Sequence, residues 1–377
     1  SFAAACSGPR LVVTKAAARG TWEEQCLRYT HMEPTLLLGR TAPTIEASPS
    51  KLYITAWETL KYWVDALRAL KPGVIIWDEI HWLRRPRHTR AIVQTDGSVR
   101  FQGLGNSLDA ARQIAQKSER KLGLTATPVP GRIRDLWTQL DLVEPWQWGT
   151  FHDFGMRYCQ GMHNGYGYSY DGLSNAPELK ERLSYVKVRV KREDVNKHLP
   201  KKRREVIRLS HAEQNKPRLS VMFNRAASKV KGCEVWSGHG GTDTSIRDDI
   251  RRDYMAHPGP CLLVGTGDAW GESIDLQDTD LALITMLPWT PDKVIQWEGR
   301  FSRLGQKRPV LVSYIVARNT MDEHVADLLL EKLPHVGEVG EDAAAEEIEG
   351  VLGGVDTSEG AAQRLLDRIS KIAEQSP

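Results

Sequence analysis

The chain has 377 residues, room for two ordinary domains that each bury a core. Apolar residues make up 41% and charged residues 26%, a globular balance that excludes wholesale disorder, and no apolar run approaches the ~18–20 residues of a bilayer span. The net charge of +3 is too small to identify a polyanionic partner, and five scattered cysteines without a CxxC pair exclude a disulfide framework or a zinc site.

From the N-terminus, SFAAACSGPR lacks a signal-peptide layout, and the unpaired thiols point to a reducing compartment. The expected localisation is therefore cytoplasmic, in a prokaryotic or viral-host cytosol rather than a nucleus. LVVT (11–14), LYIT (52–55), GVIIWDE (73–79) and KLGLTAT (121–127) read as strands, with helical spacing between them in TWEEQCLRY and ETLKYWVDALRAL. A Gly/Tyr-rich stretch, GMHNGYGYSYDG (161–172), reads as a surface excursion. EVWS (234–237), CLLVGT (261–266), LALITML (281–287) and VLVSYIV (310–316) form a second group of strands. Strands apolar on both faces and alternating with helices predict parallel sheets covered by helices. The expected domains are 1–185, 186–333 and a tail at 334–377, read as an acidic linker followed by a helix at 361–375. Basic clusters lie at 84–90, 187–192 and 201–204; each is as often a solvated face as a polyanion site.

Three motifs carry chemistry. In VIIWDEIH (74–81) an apolar strand ends in two adjacent carboxylates, at the sheet edge where parallel α/β folds place ligands. Asp78 suits a hydrated Mg²⁺, and Glu79 suits the base that orients and deprotonates an attacking water. A strand that merely ends in acidic residues is the commoner explanation of such a pair alone. LTATP (124–128) follows, and the Thr125 and Thr127 hydroxyls can bond the acidic motif and a facing lobe. In QWEGRFSRLGQ (296–306), Arg300 and Arg303 share one helix face, suited to the charge on a transferring phosphoryl group. R-x-x-R alone more often marks a solvated face.

DEIH, LTATP and QWEGRFSRLGQ, in that order, resemble helicase motifs II, III and VI of superfamily 2. The Swi/Snf branch is the most similar: TATPVPGRIRDLWTQLDLVEP (125–145), VRVKREDVNKHLPKKRREV (188–206) and MLPWTPDKVIQWEGRFSRLGQ (286–306) match its characteristic stretches. PRLVVTKAAARGTWEEQCLRY (9–29) looks like motif Ia, LYITAWETL (52–60) like motif Ib, and GTGDAWGESIDL (265–276) like motif V.

The resemblance implies two RecA-like α/β lobes with parallel sheets, binding ATP and Mg²⁺ between them and duplex DNA mainly through its backbone. It implies catalytic roles for Asp78, Glu79, His81, Arg300 and Arg303, with Asp78 and Glu79 holding the metal through water. Nucleotide contacts fall to Gln296 and Asp275, coupling to Thr125 and Thr127, and DNA contacts to Lys15, Thr55 and Thr266. The chain departs from the family in several places. No G-x-G-K-T phosphate loop occurs, so the first lobe is expected to be truncated at its N-terminus and the loop to come from a further segment or a separate chain. Between VIRLS (206–210) and EVWSGHGG (234–241) one strand fewer is expected than the family carries. Ser273 and Glu272 depart from motif V, and Gly299 from the Swi/Snf aspartate. The expected function is an ATP-dependent duplex translocase; a strand-separating DNA or RNA helicase and an inactive nucleic-acid-binding scaffold are the alternatives.

Overall fold

The computed structural model describes residues 8–40, 45–83, 90–93, 99–102, 106–190, 199–200, 202–209, 232–270, 276–302, 306–340 and 343–354. The chain divides into two compact units, Ser1–Leu179 and Lys180–Pro377.

The first unit is built on β1 (Arg10–Thr14), β2 (Glu33–Leu36), β3 (Lys51–Ala56) and β4 (Val74–Asp78). An antiparallel ribbon follows, β5 (Arg90–Val93) with β6 (Val99–Gln102), and then β7 (Arg120–Leu124). The sheet order is β2-β3-β1-β4-β7, with every pairing parallel. β1 and β3 are buried almost throughout, as expected of strands covered on both faces.

Period-two alternation sends their side chains to two cores. Val12, Leu52, Ile54 and Ile76 pack with Cys26 and Trp22 of α1 (Arg19–Tyr29) on one face. Leu11, Val13, Tyr53, Ile75 and Trp77 pack on the other with Leu67 of α2 (Val64–Leu70) and Leu108, Ala111 and Ile114 of α3 (Asn106–Ala115). The helix expected across ETLKYWVDALRAL is broken at Trp63, and α2 stops where Lys71 turns left-handed (φ 48°) ahead of Pro72. β2 was invisible in the sequence because Pro34 interrupts it; proline is tolerated there because β2 is an edge strand. At the opposite edge β7 has no further strand bonded to it among the described residues.

Beyond the sheet come α4 (Arg134–Val143) and α5 (Phe151–Tyr158), the latter opened by a reciprocal Thr150–Asp153 capping box. The Gly/Tyr-rich stretch is a short hairpin of β8 (Met162–His163) and β9 (Tyr168–Ser169). The unit boundary falls within α6 (Ala176–Ser184).

The second unit contains β10 (Arg203–Leu209), β11 (Glu234–Gly238), α7 (Thr244–Ala256), β12 (Cys261–Gly265) and a one-turn α8 (Gly267–Trp270). β13 (Leu281–Ile284), α9 (Pro291–Phe301), β14 (Leu311–Ala317), α10 (Met321–Gly340) and α11 (Ala343–Gly353) follow. β10, β14 and β13 form one parallel sheet, and β11 and β12 form another. Among the described residues the two are not joined; the segment in which one strand fewer was expected falls at 210–231, outside the described residues. β10 lies before residue 233, where no strand of the second group was expected; its charged opening, Arg203-Arg204-Glu205, masks the β-branched run behind it.

The expected acidic linker after residue 333 is corrected by the structure. Residues 334–340 continue α10, and Ala345, Ile348 and Leu352 of α11 are fully buried. Acidic residues there occupy one side of an amphipathic helix, a pattern that composition alone conceals. The helix expected at 361–375 lies outside the described residues.

Candidate functional site

β4 delivers Asp78 and Glu79 to the C-terminal edge of the first sheet. Asp78 Oδ2 accepts from Thr14 Oγ1 at 2.6 Å and from the Trp22 indole Nε1 at 2.8 Å. Its carbonyl accepts from Trp57 Nε1 at 2.8 Å, and Trp57 stacks on Trp77 at 5.4 Å. Asp78 Oδ1 takes no hydrogen bond among the described residues. The carboxylate is thus clamped on one oxygen and open on the other. The donors lie at the end of β1 and on α1, within the stretch that resembles motif Ia.

Glu79 sits in the left-handed region (φ 50°, ψ 47°), a conformation that disfavours side chains with a Cβ and marks sites where the surrounding fold dictates the backbone. The turn throws its carboxylate toward His81, with Oε2 3.2 Å from Nδ1. His81 Nδ1 is also 2.8 Å from Thr125 Oγ1, which accepts from the Thr127 amide at 3.0 Å. The acidic motif and the LTATP turn therefore meet through one buried histidine. Thr127 is fully buried, and its hydroxyl has no hydrogen-bond partner among the described residues.

In the second unit the motif V and motif VI segments are joined directly. The Leu276 amide donates to the Arg300 carbonyl at 3.0 Å, and Phe301 packs against Trp270 and Leu276. A Cβ on Gly267 would lie 2.0 Å from the Trp297 ring, so that loop can close on α9 only with glycine there. Arg300 is 9% exposed, which is not the solvated face that R-x-x-R alone suggests. Gln296 is half-buried on α9, whereas Arg303 and Asp275 lie outside the described residues.

Of the expected DNA contacts, Lys15 is half-buried directly after β1 and Thr266 is exposed directly after β12. Thr55 is corrected. It lies in β3, inside the sheet between β2 and β1, and is fully buried, so no phosphate reaches its hydroxyl.

Four members of the later basic clusters are engaged within the fold, Arg203 is exposed, and Lys191, Arg192 and Lys201 lie outside the described residues. Lys187 and Arg189 donate to the carbonyls of Val339 and Gly340 at the end of α10, where cations complement a helix C-terminus. Lys202 and Arg204 both bind Glu298, a fully buried residue of α9. Arg204 Nε and Nη2 approach its two oxygens at 2.8 and 2.7 Å, Tyr314 OH donates to Oε1, and the outer nitrogen of Arg204 reaches Glu347 on α11. Sequence reasoning missed this cluster because its members sit in four distant segments. A carboxylate inside an otherwise amphipathic α9 was the only signal. The 84–89 part of the first basic cluster lies outside the described residues.

No group of His, Cys, Asp and Glu is arranged to hold a metal by itself among the described residues. Burial pushes the Cys159 thiol up to about 12 and the Cys261 thiol up to about 11, so neither is a ready nucleophile.

Comparison with known proteins decides the family. A model described as SNF2-related domain matches residues 4–237, more than half of the chain, and one described as helicase conserved C-terminal domain matches residues 191–305. The chain belongs to the SNF2-related family. By that membership it is a Swi/Snf-type, helicase-like protein of superfamily 2, whose family is one of ATPases.

It is 25% identical over 400 residues to the SWI/SNF-related matrix-associated actin-dependent regulator of chromatin subfamily A-like protein 1 of Xenopus tropicalis, covering 88% of this chain and 40% of that protein. It is 21% identical over 404 residues to the human DNA annealing helicase and endonuclease ZRANB3, covering 87% of this chain and 36% of that one. The chain therefore spans about two-fifths of the length of the curated relatives it matches. The Sulfolobus solfataricus SWI2/SNF2 ATPase core in complex with dsDNA is similar at 16% identity and a TM-score of 0.42, covering 93% of this chain and 87% of that one.

Two expectations change here. Relatives from frog, cattle, fly and nematode carry names of chromatin regulators, which overturns the preference for a prokaryotic or viral cytosol over a nucleus. None of the comparisons supports a separate chain supplying the phosphate loop.

Proposed function

We propose that this chain is the motor core of an ATP-hydrolysing translocase that moves along duplex DNA. The observation that supports the reading most is the Glu79, His81 and Thr125 link beside a clamped Asp78 at the C-terminal edge of a parallel sheet, in a member of the SNF2-related family. Asp78 offers one clamped and one open hard oxygen, a donor set that fits the magnesium ion of a nucleotide held through its water shell. Bound there, the ion supplies neutralisation of phosphate charge. Glu79 orients and deprotonates the attacking water, and His81 ties its carboxylate to Thr125 so that the site and the LTATP turn move together. Arg300, with Arg303, stabilises charge on the transferring phosphoryl group; Gln296 and Asp275 contact the nucleotide.

The clamp on Asp78 gives a direct test of the metal role. Trp22→Phe keeps the ring and deletes the indole donor. The expected result is roughly tenfold weaker Mg²⁺-dependent nucleotide binding, because partners that orient a metal-binding carboxylate are worth about 10–100-fold. Metal-free nucleotide binding and thermal stability should hardly move. An equal loss with and without Mg²⁺ would refute the assignment.

DNA contacts in this reading rest on the chain around Lys15 and Thr266 and on the exposed Arg203, since Lys187, Arg189, Lys202 and Arg204 are engaged internally. Duplex binding is expected to be weak, independent of sequence and steeply weakened by salt. Lys15→Ala should lower the salt slope by about one while Thr55→Val leaves it unchanged. Titrations at several salt concentrations read this. Binding that is base-specific and salt-insensitive would rule the reading out. A strand-displacement assay separates duplex translocation from strand separation.

A further inference from the structure

The hairpin at 161–172 is used by nothing described so far, and its tip is unusual for a soluble surface. Tyr166 is 103% exposed, Tyr168 is 52% exposed, and Met162 and His163 beside them are exposed too. We propose that this tip stacks on unpaired nucleobases, a contact separate from the backbone contacts to duplex; the inference rests on the DNA-motor reading above.

The tip is built rigidly. Asn164 Oδ1 accepts from the amides of Tyr166 and Gly167, at 3.1 and 2.9 Å, and the Asn164 amide donates to the Gly167 carbonyl at 2.8 Å. Gly165 takes the left-handed turn position (φ 90°) with its amide on His163 Nδ1. Below the tip the rings form a continuous column. Trp137 meets Phe151 edge-on at 5.6 Å, Phe151 meets Tyr170 at 5.2 Å, and Tyr170 lies parallel to Tyr168 at 6.2 Å. His152 and His163 brace Tyr168 at 4.8 and 5.1 Å. At the root, Arg132 and Arg134 both grip Asp171, and a Cβ on Gly155 would lie 2.4 Å from the Tyr170 ring. The Tyr168 ring, held this firmly, loses little freedom on binding, and the ordered turn fixes the backbone from which the Tyr166 ring projects.

Charge and size identify the occupant. Residues 154–170 contain no carboxylate, and Asp171 is neutralised by its two arginines, so a polyanion meets no repulsion there. Burial of about 800 Å² per partner is needed for a stable protein interface, well beyond the tip of the short hairpin at 162–169. One base on one ring is, by contrast, a complete unit of recognition and tolerates any sequence.

The experiment measures anisotropy of labelled blunt duplex, oligo-dT and duplex bearing a single-stranded arm, at one salt concentration. Tyr166→Ala should weaken binding to oligo-dT and to the armed duplex by about tenfold and leave blunt duplex unchanged. Tyr166→Trp should restore the armed-duplex affinity. As an independent readout, 5-iododeoxyuridine in the arm should photocrosslink within 162–168. Intact duplex binding with no effect of Tyr166→Ala and no crosslink overturns the hairpin proposal alone, and leaves the tip to a protein partner. A wild-type chain that binds none of the three DNAs overturns the motor reading with it.

Discussion

Glu79→Gln is expected to abolish ATP turnover in a chain that also carries a phosphate-binding loop, while nucleotide and DNA binding persist. The substitution is nearly isosteric and leaves the left-handed backbone at position 79 no more strained than before. The amide can still face His81, 3.2 Å from the present carboxylate oxygen, so the link onward to Thr125 survives. What disappears is the base for the attacking water, typically worth about 10²–10⁴ in rate. The 377-residue polypeptide by itself should hydrolyse ATP negligibly, with or without DNA. It contains no G-x-G-K-T, and loss of even one preorganised donor to developing charge costs about 10²–10³. Steady-state phosphate release from the 377 residues, from the loop-bearing chain and from its Glu79→Gln variant checks both statements. Robust hydrolysis by the 377 residues alone would sink the argument about the loop. A Glu79→Gln rate within tenfold of its parent would remove Glu79 from the base role.

Much of this arrangement is legible in the sequence where a signal is local. VIIWDEIH combines a buried strand with a polar end, and the structure places those residues on β4 and its exit turn. The His81 link to Thr125 was half visible: the threonines were expected to bond the acidic motif, but nothing in the spacing chose the histidine as the partner. Tertiary pairing defeats such reasoning elsewhere. Arg204 and Glu298 are 94 positions apart, so KKRR reads as a solvated basic run until β10 is seen beside α9. Thr55 was expected to contact DNA by its place in the motif Ib resemblance, yet β3 is an inner strand and strand order is not written in any local pattern. The tail misled for a compositional reason. Gly, Ala, Glu and Asp after Leu333 suggest a linker, but Ala345, Ile348 and Leu352 recur at helical spacing and are buried. Trp22 sits in a helical stretch with nothing local to mark a role; only its geometry shows an indole fixed on Asp78.

The largest stability effect is expected at Glu298. Its carboxylate is fully buried on α9 and receives Lys202, both inner nitrogens of Arg204 and the Tyr314 hydroxyl. Glu298→Ala strands a lysine and an arginine without their counter-charge, and breaking a buried pair from one side costs about 3–5 kcal/mol. Glu347→Ala removes only the exposed partner of the same buried arginine, and a pair made with an exposed carboxylate is worth at most ~1 kcal/mol. Burial alone would raise the Glu298 carboxyl, but the Lys202 and Arg204 charges outweigh it and hold the group below its ordinary value. A carboxyl depressed in the folded state stabilises fully above its unfolded value, about 4.3, and that stability is lost as pH falls through the lower folded value. Acid should therefore unfold the second unit partly by protonating Glu298. Glu298→Gln should be less stable than the parent at pH 7, and the gap should narrow as pH falls below ~4. Urea unfolding of parent, Glu298→Ala, Glu298→Gln and Glu347→Ala at pH 7 and in acid tests the set. A Glu298→Ala loss below about 1 kcal/mol would show that the cluster relaxes freely around the missing charge.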